Sequence, residues 1–518
     1  MENGNKRRIS TFHLTMLALG TVIGGSFFLG SGVAIKAAGP SIVISYLLGA
    51  VLVYIILYAL SEMTAADPVA GSFRTYAERS FGPGVGFVTG WVYWTGLILA
   101  MSSESIAAAT FLRAWFPGIP PILMGMVIII GVTLLNLLGA RHLSHLESGL
   151  ALVKLLAIAG FVAIGLAIIA GLVPGNAAVG AGELRAEPWF PGGIAGIAGS
   201  MLIVIFTYAG FEVIGLAASE VENPRKTIPR AINWTLISLV VLYVAAIAVI
   251  LPLFPTSGII SDQSPFVLAL SRWGMGWASN LINIVMLTAI LSTMLASTFG
   301  LGRMIRSLAD ERHAPHWLKD KTDIPYRGIL FSGVAMLAGL ALGFVLPKSV
   351  YVFLISSGGF SLLFAYFVIL ASHYEWRRRT PCSAEAFCQL PLFPYSSWLG
   401  LLGIIGIVAS MPFIAGQSAG LLAGLALIAL YSGLYYVKKR VAVRPDEKRA
   451  TRQLPAGALR LRAVRAQMEA GEELADGSPA APRHVIGKDA GGREIAAERQ
   501  DAAGWQVESG REEAPDKK

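Results

Sequence analysis

The chain is short of charge and of cysteine. Only 14% of its 518 residues are charged while 55% are hydrophobic, and the mean hydropathy is +0.63. That balance excludes an ordinary soluble globule. The two cysteines, Cys382 and Cys388, fall in or near a basic loop expected to be cytoplasmic, where free thiols rather than a lasting disulfide are expected. HExxH, paired intramembrane aspartates and a GxSxG in a suitable context are also missing, so neither an enzyme nor a metal site is expected. A continuous polar lining is lacking too, which tells against a channel. No small-residue cleavage site follows the short basic stretch Met1 to Ser10, so the first apolar run is expected to remain as a span.

Long apolar runs are what the chain does have. A helix rising about 1.5 Å per residue needs roughly 20 apolar residues to cross the ~30 Å hydrocarbon core. Runs of that kind lie near 12 to 36, 41 to 63, 83 to 112, 121 to 140, 148 to 172, 193 to 219, 231 to 253, 276 to 302, 328 to 346, 349 to 372, 396 to 415 and 418 to 437. The expected fold is an all-α polytopic membrane protein with twelve transmembrane helices: residues 1 to 10 form an N-terminal segment, 11 to 440 the helical domain and 441 to 518 a tail.

Basic residues orient the spans. With the N-terminus inside, the inner loops collect Lys6, Arg7, Arg8, Arg74, Arg79, Arg141, Arg225, Lys226, Arg230, Arg303, Arg306, Arg312, Lys319, Lys321, Arg327, Arg377 to Arg379 and Lys438 to Arg440. The outer side keeps Lys36, Arg113, Arg185, Arg272 and Lys348. Both termini are therefore expected in the cytoplasm, in a plasma (inner) membrane protein. From Val441 onward fourteen basic and fourteen acidic residues cancel, so the net charge of +9 belongs to the membrane part. It reads as topology and attraction to anionic lipid, not as a nucleic-acid surface. The tail is expected to be largely disordered, with 456 to 470 a candidate surface helix.

Two runs are broken. Gly20-Thr21-Val22-Ile23-Gly24-Gly25-Ser26-Phe27-Phe28 interrupts the first, and Tyr208-Ala209-Gly210-Phe211-Glu212-Val213-Ile214-Gly215 the sixth. Unwound backbone at membrane depth is tolerated only where protein buries it or a polar cavity meets it, so paired breaks point to a mid-membrane binding site. The N–H groups that begin a second half-helix suit a carboxylate, and the carbonyls that end a first half-helix suit an ammonium or a cation. A zwitterionic α-amino acid offers both charges. Its carboxylate is expected at Ile23, Gly24, Gly25, Ser26 and Phe27, and its amine at the carbonyls of Phe206 to Ala209, with Tyr208 and Phe211 helping to occlude it. Glycines that merely let helices approach closely are the competing explanation. Breaks in spans 1 and 6 also fit two five-helix repeats of opposite orientation.

Three ionisable residues inside spans need a reason. Glu212, in the second break, can bond freed backbone groups, receive a proton or face an amine. Lys154, in span 5, either snorkels outward or sits buried and exchanges a proton. Glu104, in span 3, either faces the site, favouring a cationic side chain, or is satisfied by Ser102, Ser103 and Ser105, favouring a neutral one. Glu62 and Glu147 lie at span ends, where interfacial water is expected to solvate them. Ser292, Thr293, Ser297 and Thr298 are expected to bond mostly to their own helix. Ser356-Ser357-Gly358-Gly359 either bends span 10 or packs it. The charges from Glu220 to Arg230 either pair as a gate closes or are solvated, with Pro229 able to begin the next helix.

The run Ala218-Ser219-Glu220-Val221-Glu222-Asn223-Pro224-Arg225-Lys226-Thr227-Ile228-Pro229-Arg230-Ala231-Ile232 resembles the signature after span 6 in amino-acid permeases of the amino acid-polyamine-organocation superfamily. Ile23 to Gly32, Pro68 to Phe73, Gly90 to Trp94, Arg303-Met304 with Leu308 to Asp310, and Leu392 to Tyr395 continue the resemblance over about residues 8 to 440. It is closest to the bacterial amino acid transporter family. The resemblance implies a five-plus-five inverted-repeat core of the leucine-transporter type with spans 11 and 12 outside it. It also implies proton-coupled uptake or, alternatively, amino-acid exchange. Lys154 aligns with the span-5 lysine that takes the place of a sodium ion, and Glu212 with the span-6 acid near the substrate amine. Glu104 lies where some aromatic permeases carry an acid. Family members commonly read Ile-Gly-Thr-Gly-Leu-Phe where this chain has Ile23-Gly24-Gly25-Ser26-Phe27-Phe28. The expected partners are an amino acid and the bilayer, the coupling ion is a proton with no cofactor, and the protein is expected as a monomer or a weak homo-oligomer.

Overall fold

The computed structural model describes residues 10–69, 71–174, 177–217, 221, 223–260, 263–320, 322, 324–345, 350–380, 390–414, 416–450 and three short strands near the C-terminus. Its first half comprises α1 (Thr11–Val22), α2 (Gly25–Phe28), α3 (Gly30–Ala38), α4 (Ile42–Ala66), α5 (Ser72–Phe81), α6 (Pro83–Leu112), α7 (Pro121–Asn136) and α8 (Ala140–Ile169). The second half comprises α9 (Gly193–Tyr208), α10 (Val213–Ala217), α11 (Pro224–Leu253), α12 (Pro265–Arg272), α13 (Gly276–Asp310), α14 (Tyr326–Val345), α15 (Val350–Arg379), α16 (Tyr395–Ser410) and α17 (Ser418–Ala450).

Among the described residues nine helical stretches are long and apolar enough to cross a membrane. Shorter apolar helices at Thr11–Val22, Pro121–Asn136 and Tyr326–Leu342 occupy the first, fourth and ninth of the expected runs. The first run is shorter because it is cut. Ile23 turns extended (φ −79°, ψ 100°) and Gly24 follows at φ −137°, ψ −163°, after which α2 starts afresh.

Helix starts follow local chemistry. The Ser10 side chain accepts from the His13 amide to open α1. Pro83, Pro121 and Pro224 stand in the first turns of α6, α7 and α11, where their missing N–H costs nothing. Pro224 thus overturns the expectation that Pro229 begins the helix after the second break: Pro229 lies inside α11. The signature residues 218–220 and 222, both cysteines and 456–470 lie outside the described residues, as does the side chain of Glu147.

α6 sits at the centre, packed against α15, α13, α7, α14 and α5. Small residues make the closest approach possible: a Cβ on Gly96 would meet Ser361 Cβ at 2.2 Å, and one on Gly358 would meet the Gly96 carbonyl at 3.0 Å. The Ser356 to Gly359 stretch therefore packs an unbroken α15 and does not bend it.

One expectation fails outside this centre. Glu62 is not solvated but fully buried, bonded to His373 Nε2 at 2.7 Å, to Arg377 and to the Leu390 amide, so that α4, α15 and the segment before α16 are fastened together. In the tail, β1 (His484–Lys488), β2 (Glu494–Gln500) and β3 (Gly504–Glu508) form an antiparallel sheet in that order. By contacts the tail from Lys438 is a unit separate from Met1–Val437.

Glu62→Leu leaves the buried Arg377 and His373 without their acid. Losing one partner of a buried ion pair costs about 3–5 kcal/mol, so the thermal midpoint of the purified variant in detergent is expected to fall well below wild type.

Candidate functional site

The two breaks meet. Gly210, at φ 112°, occupies backbone that disfavours any side chain, and a Cβ there would also lie 2.9 Å from the Thr21 carbonyl oxygen. Thr21 Oγ1 donates to the Gly210 carbonyl at 3.2 Å, stitching the end of α1 to the second break.

Each freed end of the first break has a protein charge of the appropriate sign. At the end of α1, Lys154 Nζ donates to the Gly20 carbonyl at 2.6 Å and to Thr293 Oγ1 at 3.2 Å. Lys154 is fully buried, so it does not snorkel. At the start of α2, Glu104 Oε2 accepts from the Gly25 amide at 2.6 Å and Oε1 from the Ser26 amide at 2.9 Å. A cation at a helix C-terminus and an anion at an N-terminus complement the helix dipole, and charge-assisted bonds of this kind are the stronger ones. Thr293 Oγ1 reaches the Gly20 and Ile23 carbonyls at 3.2 and 2.9 Å. It thus serves the break across helices, not its own helix, while the Ser292 and Thr298 hydroxyls have no hydrogen-bond partner among the described residues.

Glu104 lines the cavity between the breaks and is satisfied by the α2 amides, not by its serine neighbours. Ser102, Ser103 and Ser105 donate to the Ile98 and Met336, Ala100 and Ser102 carbonyls respectively, leaving the acid to the α2 amides. Glu212 stays in its own break: the Gly210 amide at 3.0 Å, Tyr93 Oη at 3.0 Å and Tyr366 Oη at 3.1 Å all donate to it.

A cavity of about 20 Å³ remains between the breaks, room for roughly one water molecule. Ser26, Glu104, Phe206, Ala209 and Glu212 line it, as do Thr21, Thr293, Leu97 and Met101. Ile23, Gly24, Gly25 and Phe27 do not, although Gly25 contributes its amide through Glu104. Tyr208 and Phe211 lie behind it: Phe211 stacks on Tyr366 at 5.0 Å, while Tyr208 packs at 5.3 Å against Tyr243, which itself stacks on Phe27 at 3.8 Å. Of the carbonyls expected to hold an amine, that of Phe206 accepts from the Ala209 amide and that of Thr207 from Tyr243 Oη. The residues missed by sequence reasoning had a signal. Tyr93, Leu97, Ala100 and Met101 share one face of α6 with the expected Glu104 by helical spacing, and all but Tyr93 line the cavity.

Residues 13–447 match the model of a family described as amino acid permease. The γ-aminobutyric acid permease of Bacillus subtilis is 32% identical over 464 residues, covering 88% of this chain and 98% of that protein. The amino-acid permease RocC of the same organism is 32% identical over 473 residues, covering 87% and 98%. A third protein from it, an uncharacterised amino acid permease named YtnA, is 34% identical over 450 residues, covering 85% and 97%.

Thr293→Val removes the hydroxyl that bridges Lys154 to both carbonyls of the first break. Such losses cost about 1–3 kcal/mol when polar groups are left buried. The variant is expected to melt earlier in detergent than wild type, while Thr293→Ser melts close to it.

Proposed function

We propose, starting from the fact that this chain belongs to the amino acid permease family, that it imports amino acids across the plasma membrane by proton-coupled alternating access. It is a multi-pass membrane protein of that family. The finer reading has twelve spans, two five-helix inverted repeats and both termini in the cytoplasm, as the distribution of Lys and Arg supports.

One observation carries the reading: the adjacent amides of Gly25 and Ser26 at the first break hold a carboxylate, that of Glu104, which lines the space between the two breaks. A carboxylate is one half of what an α-amino acid presents. The other half, its ammonium, fits the carbonyl-rich second break beside Glu212. Substrate binding from outside draws the two breaks together, because its carboxylate engages α2 and its amine the α9–α10 junction.

Coupling needs ion and substrate to bias the same two-state equilibrium. Lys154 suits that role. Its ammonium ties α8 to the end of α1 through Gly20, so loss of its proton removes the charge assistance, weakens this tie and loosens α1 for opening to the inside. Glu212 is the second group available, since its three donors join α6 and α15 to the second break.

In proteoliposomes an inward proton gradient is expected to drive accumulation of a labelled mixture of the proteinogenic amino acids, with γ-aminobutyrate included because a relative carries its name. In Lys154→Ala the gradient no longer concentrates substrate. Uptake that follows sodium and ignores pH, or full coupling in Lys154→Ala, would overturn the proton reading. Counterflow without net accumulation would assign exchange instead.

A further inference from the structure

The carboxylate held by the α2 amides is the protein's own. Each Glu104 oxygen takes one amide, at 2.6 and 2.9 Å, which is how a free α-carboxylate would sit there. The seat has no room for a second one. Glu104 Oε2 lies 2.8 Å, Ile290 Cδ1 2.9 Å and Ala107 Cβ 3.0 Å from where a Cβ on Gly25 would be, and the neighbouring cavity is about 20 Å³.

We infer that Glu104 is a tethered competitor for the substrate's carboxylate seat, displaced when substrate binds and returning when it leaves. This rests on the amino-acid carrier reading above. The seat holds one negative charge before and after; with the substrate's ammonium taken by the second break, the displaced carboxylate pairs with a cation of the protein. Lys154 of α8 is a buried cation that reaches the same break, at the Gly20 carbonyl. It and the Gly24 surroundings meet at Thr293, whose Oγ1 is 3.2 Å from Lys154 Nζ and 3.1 Å from a Cβ built on Gly24, as Glu104 Oε2 also is. Glu104 leaving the α2 amides therefore moves toward Lys154 and competes with the Gly20 carbonyl for its ammonium. Arrival of a carboxylate at one end of the break is thereby reported at the other.

The sign of one substitution separates this from a direct contact between Glu104 and the substrate. Glu104→Gln keeps the shape but replaces two charge-assisted bonds by at most one neutral one, so the amides are freed for the substrate. Binding of a radiolabelled amino-acid mixture to the purified full chain in nanodiscs is expected to tighten about tenfold or more. Glu104→Asp, which retains the charge but draws it back by one methylene, falls between. Lys154→Ala, which removes the destination, weakens binding more in the wild-type background than it does beside Glu104→Gln. The corresponding amino-acid amides, which lack the carboxylate, compete poorly with the mixture for wild type and for Glu104→Gln.

Weaker or unaltered binding by both Glu104 variants, each melting like wild type, overturns the inference. So does a Lys154→Ala effect that persists undiminished beside Glu104→Gln. Wild type that binds no amino acid at all overturns the carrier reading itself, a separate failure visible before any variant is made.

Discussion

An interrupted helix in hydrocarbon leaves amides and carbonyls with no water to turn to, and each one left bare costs several kcal/mol. The core of this protein is organised around that constraint. The gap at Ile23 and Gly24 exposes the carbonyl end of one half-helix and the amide end of another, and the chain sends Lys154 to the first and Glu104 to the second. Thr293 ties the intermediate carbonyls. With these groups in place the freed backbone of the break is satisfied by side chains of the protein itself.

α6 connects the two breaks. Tyr93 and Glu104 are eleven positions apart on it, close to three turns at 3.6 residues per turn, and so share a face. From that face Tyr93 reaches Glu212 in the second break while Glu104 reaches α2 in the first. α15 supports the same arrangement through Tyr366, which donates to Glu212 and stacks on Phe211. Because α6 and α15 pack glycine against serine and backbone, a shift of one is felt by the other. A rigid pair of this kind lets a small rearrangement at either break become a movement of helices.

Much of this was legible in the chain because it is local. Glycines at 24, 25 and 210 mark places where backbone must turn or approach closely, and a buried lysine or glutamate inside an apolar run announces a partner. What was not legible is which partner. The pairing of Glu104 with amides seventy-nine positions away depends on how helices cross, and the serines beside it offered a nearer explanation that the structure rejects. Glu62 was misread for a related reason. A carboxylate at a span end looks solvated unless one knows that His373 and Arg377 from a distant helix arrive over it. The face of α6 at 93, 97, 100, 101 and 104 could have been read from spacing, yet in a helix apolar on every side periodicity alone does not say which face meets the site.

The central claim is that the amides of the first break hold a protein carboxylate in the empty state and the substrate carboxylate in the loaded one. A high-resolution structure of the full chain in a lipid nanodisc, saturated with an amino acid that it binds, tests this most directly. The account predicts the ligand's carboxylate on the Gly25 and Ser26 amides, with the Glu104 side chain swung off them toward Lys154. An amino acid bound elsewhere in the site, with Glu104 still on both amides, would contradict it.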